Sequence, residues 1–277
     1  MKVAVDDAVA SEAIVELNRD LPKRIRVARC PVDSISFSEV VSRLCERIEQ
    51  RQRTHVVFVN AAKVVYYQGD SQLRAAIEGA DFLLADGVPI VWASRLYGSS
   101  LPARVNGTDL MYRMLRESAD RGYRVFLLGA RPEILQRCIG EILRLYPTIN
   151  IVGHRDGYFH PSEEEDVVSE INSTRTDILF VGMPTPRKEI WGERHLNSLS
   201  IAVCQGVGGS FDVLAGLVKR APEWMQKCGL EWFFRFLQEP KRLWRRYLKT
   251  NASFLWFLFT DAIVFFRRRR SNEVKKP

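Results

Sequence analysis

Six short runs of apolar, largely β-branched residues, each separated from the next by a stretch of helical length, restrict this chain to few architectures. The runs are Val56–Val59, Phe82–Ala85, Val125–Leu128, Ile149–Val152, Ile178–Val181 and Ile201–Val203. Between them, Ser38–Gln50 places apolar side chains at Val40, Val41, Leu44, Cys45 and Ile48, the spacing of one helix face. A further helix opens at Gly107 or Thr108 and runs through Leu115, and Pro132 sits in the first turn of another that reaches Leu145. Pro161 starts one more through Ile171. Continuous apolar strands, in place of alternating ones, belong to a sheet covered on both faces. Alternation with helices makes that sheet mainly parallel. The expected class is therefore α/β, a mainly parallel sheet flanked by helices.

The pattern divides the chain in three. Residues 1–25 are weakly patterned and read as a loose N-terminal arm, and residues 26–221 as the α/β core. From Pro222 the strand signal stops, and 222–277 reads as a helical appendage rich in Trp, Phe, Leu and Arg. Charge follows the same division. From Lys241 onward there are eleven Lys and Arg against Asp261 and Glu273, a net of +9, although the whole chain carries only +8. A basic tail requires an anionic partner: nucleic acid, acidic lipid or a phosphorylated ligand.

Five cysteines, Cys30, Cys45, Cys138, Cys204 and Cys228, are scattered without a C-x-x-C pair, as expected of reduced thiols in a cytosolic protein. The N-terminus lacks the basic-then-apolar layout of a signal peptide. No run reaches the roughly 18–20 apolar residues that cross a bilayer. The protein is expected in the cytoplasm.

In open α/β sheets ligands bind beyond the carboxyl ends of the strands. The residues at those ends are Asn60, Asp86-Gly87, Gly129-Ala130, Gly182–Pro186 and Gly206–Ser210. The glycine-containing turns among them lead into helices and can present backbone N–H groups to phosphate. Asp86 ends an apolar strand; there a desolvated carboxylate suits proton abstraction, and equally it can cap the helix near Pro89. Arg104-Val-Asn106-Gly-Thr-Asp109 combines a cation, an amide and a cap-like carboxylate, either a phosphate clamp or an exposed capping box. Asp212 can bind a ribose or uracil group, or cap a helix.

Several chemistries lack their residues. The four histidines do not cluster, no D-x-D stands beside a strand, there is no P-loop, and Gly206-x-Gly208-Gly209 does not complete a dinucleotide fingerprint. No metal and no cofactor are expected.

A series of motifs then falls in a familiar order. It begins with Leu84-Ala-Asp86-Gly87-Val-Pro, Arg104-Val-Asn-Gly107-Thr-Asp109-Leu and Thr185-Pro-Arg-Lys188-Glu189. Gly206-Val-Gly-Gly-Ser-Phe-Asp212, Lys219-Arg-Ala-Pro-Glu-Trp224, Gly229-Leu-Glu-Trp232 and Gln238-Glu-Pro-Lys-Arg242-Leu-Trp-Arg245 follow. Over residues 27 to 250 the chain resembles the WecG/TagA/CpsF family of inverting glycosyltransferases.

The resemblance implies a Rossmann-like core without metal dependence and a helical appendage that completes the site at the membrane. It implies transfer from a UDP-sugar onto an undecaprenyl-diphosphate-linked saccharide in exopolysaccharide, antigen or teichoic-acid assembly. By position Asp86 matches the family's catalytic base. Asn60, Arg104 and the Gly206–Asp212 loop, with Gly208 and Gly209, match the donor and acceptor pocket, and Asn106 falls in the same block as Arg104. Arg235, Arg242 and Arg245 match the arginines that meet the diphosphate. Two departures stand out. Lys188 replaces a Gln that orients the sugar, which points towards a donor with a carboxylate or a different hydroxyl pattern, and Phe58 replaces a small hydroxyl residue.

Ser253–Phe266, interrupted by Asp261 and followed by Arg267–Arg270, reads as an interfacial helix on an anionic membrane surface, or as a core helix with a solvated end. The expected partners are thus a UDP-sugar, a polyprenyl-diphosphate-linked glycan and the inner face of the membrane, with room for a homo-oligomer. Two other classes compete. A nucleic-acid-binding protein would use the Arg-rich tail as a phosphate clamp, but the tail's aromatics form one apolar run and do not alternate with Arg, so nucleic acid is not an expected partner. A non-catalytic sugar-nucleotide-binding regulator would not need Asp86.

Overall fold

The computed structural model describes residues 21–273, except the side chains of Arg242, Leu243, Arg246, Tyr247 and 264–273. Residues 1–20 of the expected arm and the basic groups Arg267–Arg270 lie outside the described residues or side chains.

Among the described residues, eight strands form two sheets. A hairpin pairs β1 (Arg24–Val27) antiparallel with β2 (Cys30–Asp33). The main sheet has six parallel strands in the order β4-β3-β8-β7-β5-β6: β3 Thr54–Val59, β4 Phe82–Ala85, β5 Arg124–Gly129, β6 Asn150–Arg155, β7 Ile178–Gly182 and β8 Val203–Gly206. The expected class, α/β with a Rossmann-like parallel sheet flanked by helices, is the observed one.

The helices are α1 (Phe37–Glu49), α2 (Ala61–Gly69), α3 (Ser71–Glu78), α4 (Val88–Leu96), α5 (Gly107–Arg121) and α6 (Pro132–Leu145). After a 3₁₀ turn at Pro161–Glu163 come α7 (Glu164–Ser173), α8 (Arg187–His195), α9 (Ser210–Leu214), α10 (Glu223–Lys227), α11 (Glu231–Gln238) and α12 (Pro240–Glu273). Helix ends follow capping chemistry. Ser36 Oγ accepts from Glu39 N at the start of α1, and Gly122 closes α5 in the left-handed conformation that costs a residue without a Cβ least.

Side-chain alternation along the strands sends each strand's residues to opposite faces. Val56, Phe58, Phe82, Leu84, Val125 and Leu127 pack on α1, α5 and α6 in one core. Val57, Val59, Leu83 and Ala85 face the other way, against α2, α3, α4 and the hairpin. Phe126, Leu128, Leu179 and Val181 form a third cluster with α7 and α8. Full burial of these strands is why they read as unbroken apolar runs.

Two elements differ from expectation. The last strand begins at Val203, where Ile201–Val203 marks its lead-in, and continues through Cys204, Gln205 and Gly206. It lies between β3 and β7, where hydrogen bonds to both neighbours offset the lack of β-branching. The hairpin has little apolar signal because charge fixes it. Arg24 Nε donates to Asp33 Oδ1 at 2.7 Å, and Asp33 Oδ2 accepts from Leu83 N at 2.7 Å, fastening the hairpin to β4.

After β8 the described residues hold helices only. The long α12 packs along α2 and sinks Phe254 into the hairpin-side core. Asp261, which interrupts the apolar run in the sequence, pairs with Arg29 of the hairpin turn at 2.8 Å.

Candidate active site

All six parallel strands end on one edge, and Asp86 stands at the end of β4. Its backbone N–H donates to Val59 O at 2.8 Å, and Gly87, at φ +114°, turns the chain at once into α4. Of the two readings open for Asp86, helix capping is not realised: α4 is capped by Gly87 and receives no side-chain cap bond. The Asp86 carboxylate instead accepts from Asn106 Nδ2 at 3.1 Å. Burial first, and the Glu231 carboxylate second, push its carboxyl above the ordinary value, against the pull of Lys63, Arg235 and Arg104. A proton acceptor of raised basicity on this edge suits a hydroxyl substrate.

Residues 104–106 form the wall beside it. Val105 N donates to Ala85 O at 2.8 Å and the Val105 side chain is buried, so Arg104 and Asn106 lie along the end of β4. Asn106 is also the α5 cap, its Oδ1 accepting from Thr108 N at 2.9 Å and Asp109 N at 3.3 Å. Asp109 is not the cap; it pairs with Arg220. Arg104 reaches the helices after the sheet, donating to Glu231 Oε2 at 3.0 Å and to Gln226 Oε1 at 3.3 Å.

Under the edge lies a charge cluster that the sequence reading did not anticipate. Lys63 of α2 and Lys188 of α8 both pair with Glu189 Oε1, at 2.6 and 2.7 Å, and all three side chains are buried. Lys63 Nζ also donates to Phe58 O, and Lys188 Nζ donates to Thr185 Oγ1 at 2.5 Å. Glu189 is held down at about 2: burial would raise it, but two ammonium groups override that. Burial, then the Lys63 charge, lowers Lys188 to about 8, against Glu189. Helical spacing is the signal that could have found this cluster. Lys63, Val64 and Tyr67 share the buried face of α2, as Lys188 and Trp191 share that of α8.

The remaining residues divide. Asn60 caps α2 through Lys63 N at 3.0 Å. Gly206 ends β8 so close to Lys188 that a Cβ there would stand 3.2 Å from Lys188 Cδ, and Gly208 has φ +55°. The turns do not offer their amides freely: Ala130 N donates to Gly182 O, Val207 N and Gly208 N to Val181 O, and Ser210 N to Val207 O. Asp212 sits in the first turn of α9, with Oδ2 3.5 Å from the Cβ position of Gly209, while an Arg235 nitrogen lies 4.0 Å from that position. Arg245 is not brought to this group; it is exposed, 5.2 Å from the centroid of the Trp244 ring. Arg242's side chain lies outside those described.

A family model for the glycosyl transferase WecG/TagA/CpsF family matches residues 25–269 of the 277. The chain belongs to that family.

As a glycosyltransferase of the WecG/TagA/CpsF family, it takes a sugar donor and a glycan acceptor. The match covers both the sheet and the helices after it, so the Asp86 edge and the Arg104–Glu231 contact lie within the family's span. Among the described residues of this glycosyltransferase, no three His, Cys, Asp or Glu side chains are grouped to hold a metal ion. No helix among them is long and apolar enough to cross a membrane.

Proposed function

We propose that this glycosyltransferase is an inverting, metal-independent enzyme that moves a sugar from a UDP-sugar onto a polyprenyl-diphosphate-linked saccharide, with Asp86 as general base. The acceptor hydroxyl attacks the anomeric carbon while its proton passes to Asp86. The bond from that carbon to the diphosphate oxygen breaks, its electron pair leaves with UDP, and one displacement inverts the centre.

The observation that carries this reading is Asp86 itself. It is a carboxylate at a strand end, relieved of capping duty, held by Asn106 and kept basic by burial. Departing UDP gains charge, and charge developing in a poorly hydrated site is met best by fixed cations and dipoles. Arg235 beside Gly209 supports that role, with Lys188, Lys63 and Glu189 as a buried floor of net positive charge. In this reading Asn60, Gly206, Gly208 and Asp212 shape the donor pocket. Residues 222–277 act as an appendage that brings Arg235 to the diphosphate at the inner face of the membrane. The product serves a cell-surface polysaccharide.

The test is UDP release across a set of UDP-sugars with a short lipid-diphosphate acceptor, for the wild type and Asp86→Asn. Loss of a general base costs at least ~100-fold in turnover. Full turnover by Asp86→Asn, with UDP still bound, would remove Asp86 from the chemistry.

A further inference from the structure

Two carboxylates, not one, stand beside the 104–106 strip. Asn106 holds Asp86, and two residues earlier Arg104 holds Glu231 of α11, with both partners of that ion pair 20% exposed. The contact is multiple. Arg104 also donates to Gln226 Oε1, and Gln226 Nε2 is anchored in turn on Ala221 O at 2.7 Å. Gly229, at φ +73° in the turn between α10 and α11, sits so near the start of α4 that a Cβ would meet Val88 Cβ at 2.7 Å. Val88 is two residues beyond Asp86. The α10–α11 corner therefore rests on the wall of the site through Arg104 and on its floor through Val88, and it delivers Glu231 and Arg235 together.

We propose that Glu231 is a positioning residue for the transfer: through Arg104 it locks α11 over the strand edge, and it sets a carboxylate beside Asp86, so that Asp86 has its working electrostatic setting only while α11 is docked. This deepens the proposed function and rests on Asp86 being the base. A fork of two nitrogens held by Glu231 and Gln226 makes Arg104 a bridge between the sheet edge and α11, where the sequence alone left a phosphate clamp or an exposed capping box open. The groups that bear on Asp86 are Glu231 and Arg235 from α11, Arg104 and Asn106 from the strip, Lys63 from α2 and Lys188 from α8. Glu231 is the carboxylate that bears most on Asp86, while Glu189 is paired between the two lysines. With α11 undocked, Asp86 would lose Glu231 and Arg235 and keep the lysines, and so would be a weaker base in a wetter site. Docking on the assembled substrates would then make the base and the covering segment arrive together, which limits wasteful transfer to water.

The experiment uses the full chain and compares Glu231→Gln, which keeps the shape and an acceptor for Arg104, with Glu231→Asp, which keeps the charge. The readouts are kcat, donor KM and the pH dependence of kcat. For Glu231→Gln the acid limb should move to lower pH by about 0.5–1 pH unit, the direction expected when a like charge is removed. Its kcat at neutral pH should fall about 2–3-fold as the base weakens, with donor KM changed much less. Glu231→Asp should keep the wild-type limb. If the Glu231→Gln limb coincides with wild type, or both variants shift alike, Glu231 is a structural clip and the proposal fails while Asp86 stands. If Asp86→Asn is fully active, the base assignment fails first, whatever Glu231 does.

Discussion

Asn106 works in two directions: its Nδ2 donates to Asp86 at 3.1 Å while its Oδ1 caps α5 at Thr108 N, 2.9 Å away. One amide thus ties the start of a core helix to the proposed base, and neither group can shift without the other. Asn106→Asp separates the two duties. Asp caps a helix about as well as Asn, so the α5 cap itself should survive. The new carboxylate would face Asp86, and two carboxylates in one site cannot both ionise easily. The expected outcome is a lower kcat near neutral pH and an acid limb displaced to higher pH, opposite to Glu231→Gln. An unchanged pH–rate profile would show that Asp86 does not report on turnover.

The strand ends were legible because burial on both faces writes itself as unbroken apolar runs, and Asp86 was legible because it ends one of them. β8 was read three residues short, since Cys204, Gln205 and Gly206 owe their strand conformation to neighbours on both sides and not to their own preference. The Lys63–Glu189–Lys188 cluster stayed hidden because charged residues are read as exposed by default, and only their shared faces with Val64, Tyr67 and Trp191 mark them as buried. Arg104 read as a phosphate clamp or as part of an exposed capping box because its partners, Gln226 and Glu231, are more than 120 residues away in sequence.

That buried cluster has a stability signature. Glu189 is the shared counter-ion of two buried ammonium groups, and removing one partner of a buried pair costs about 3–5 kcal/mol. Glu189→Gln should lower unfolding stability by that order in a urea titration. In the wild type the Glu189 carboxyl is depressed to about 2, so its contribution is complete above the unfolded value of about 4.3 and fades as pH falls towards 2. The variant should lack that part of the acid dependence. A loss below about 1 kcal/mol would mean the lysines find water instead.

Metal dependence offers a direct check on how UDP departure is met. Transfer should persist in excess EDTA if, as proposed, Arg235 and the lysine floor meet the charge of departing UDP. Arg235→Ala should lower kcat more than it weakens donor binding, because charge grows as the bond breaks. Activity abolished by EDTA and restored by Mg²⁺ or Mn²⁺ would overturn the cation-only account.

The last prediction concerns the membrane, and the fold changes how it must be tested. Cutting the chain at Ala252 looks like a clean way to remove the apolar tail, but it would also remove Phe254 from the hairpin-side core and Asp261 from Arg29. The truncated protein would lose structure and membrane contact together. Point changes avoid this. On α12, Phe254 is buried and Phe257 and Leu258 pack on the core, whereas Leu255, Trp256, Phe259 and Ile263 stand exposed, Trp256 at 63% and Phe259 at 60%. Lys241, Arg245 and Lys249 are exposed on the same helix. Exposed aromatics with neighbouring cations suit an anionic lipid interface, where each basic group contributes about 1 kcal/mol. Trp256→Glu combined with Phe259→Glu should leave the melting temperature nearly unchanged, because neither side chain is in the core. Flotation with phosphatidylglycerol vesicles should fall sharply, and wild-type flotation should itself weaken as salt is raised. Transfer to a long-chain lipid acceptor should drop while transfer to a short soluble acceptor is preserved, since the Asp86 edge is untouched. Unchanged flotation in the double variant would mean that this face of α12 does not meet the bilayer, and that the exposed aromatics serve another contact.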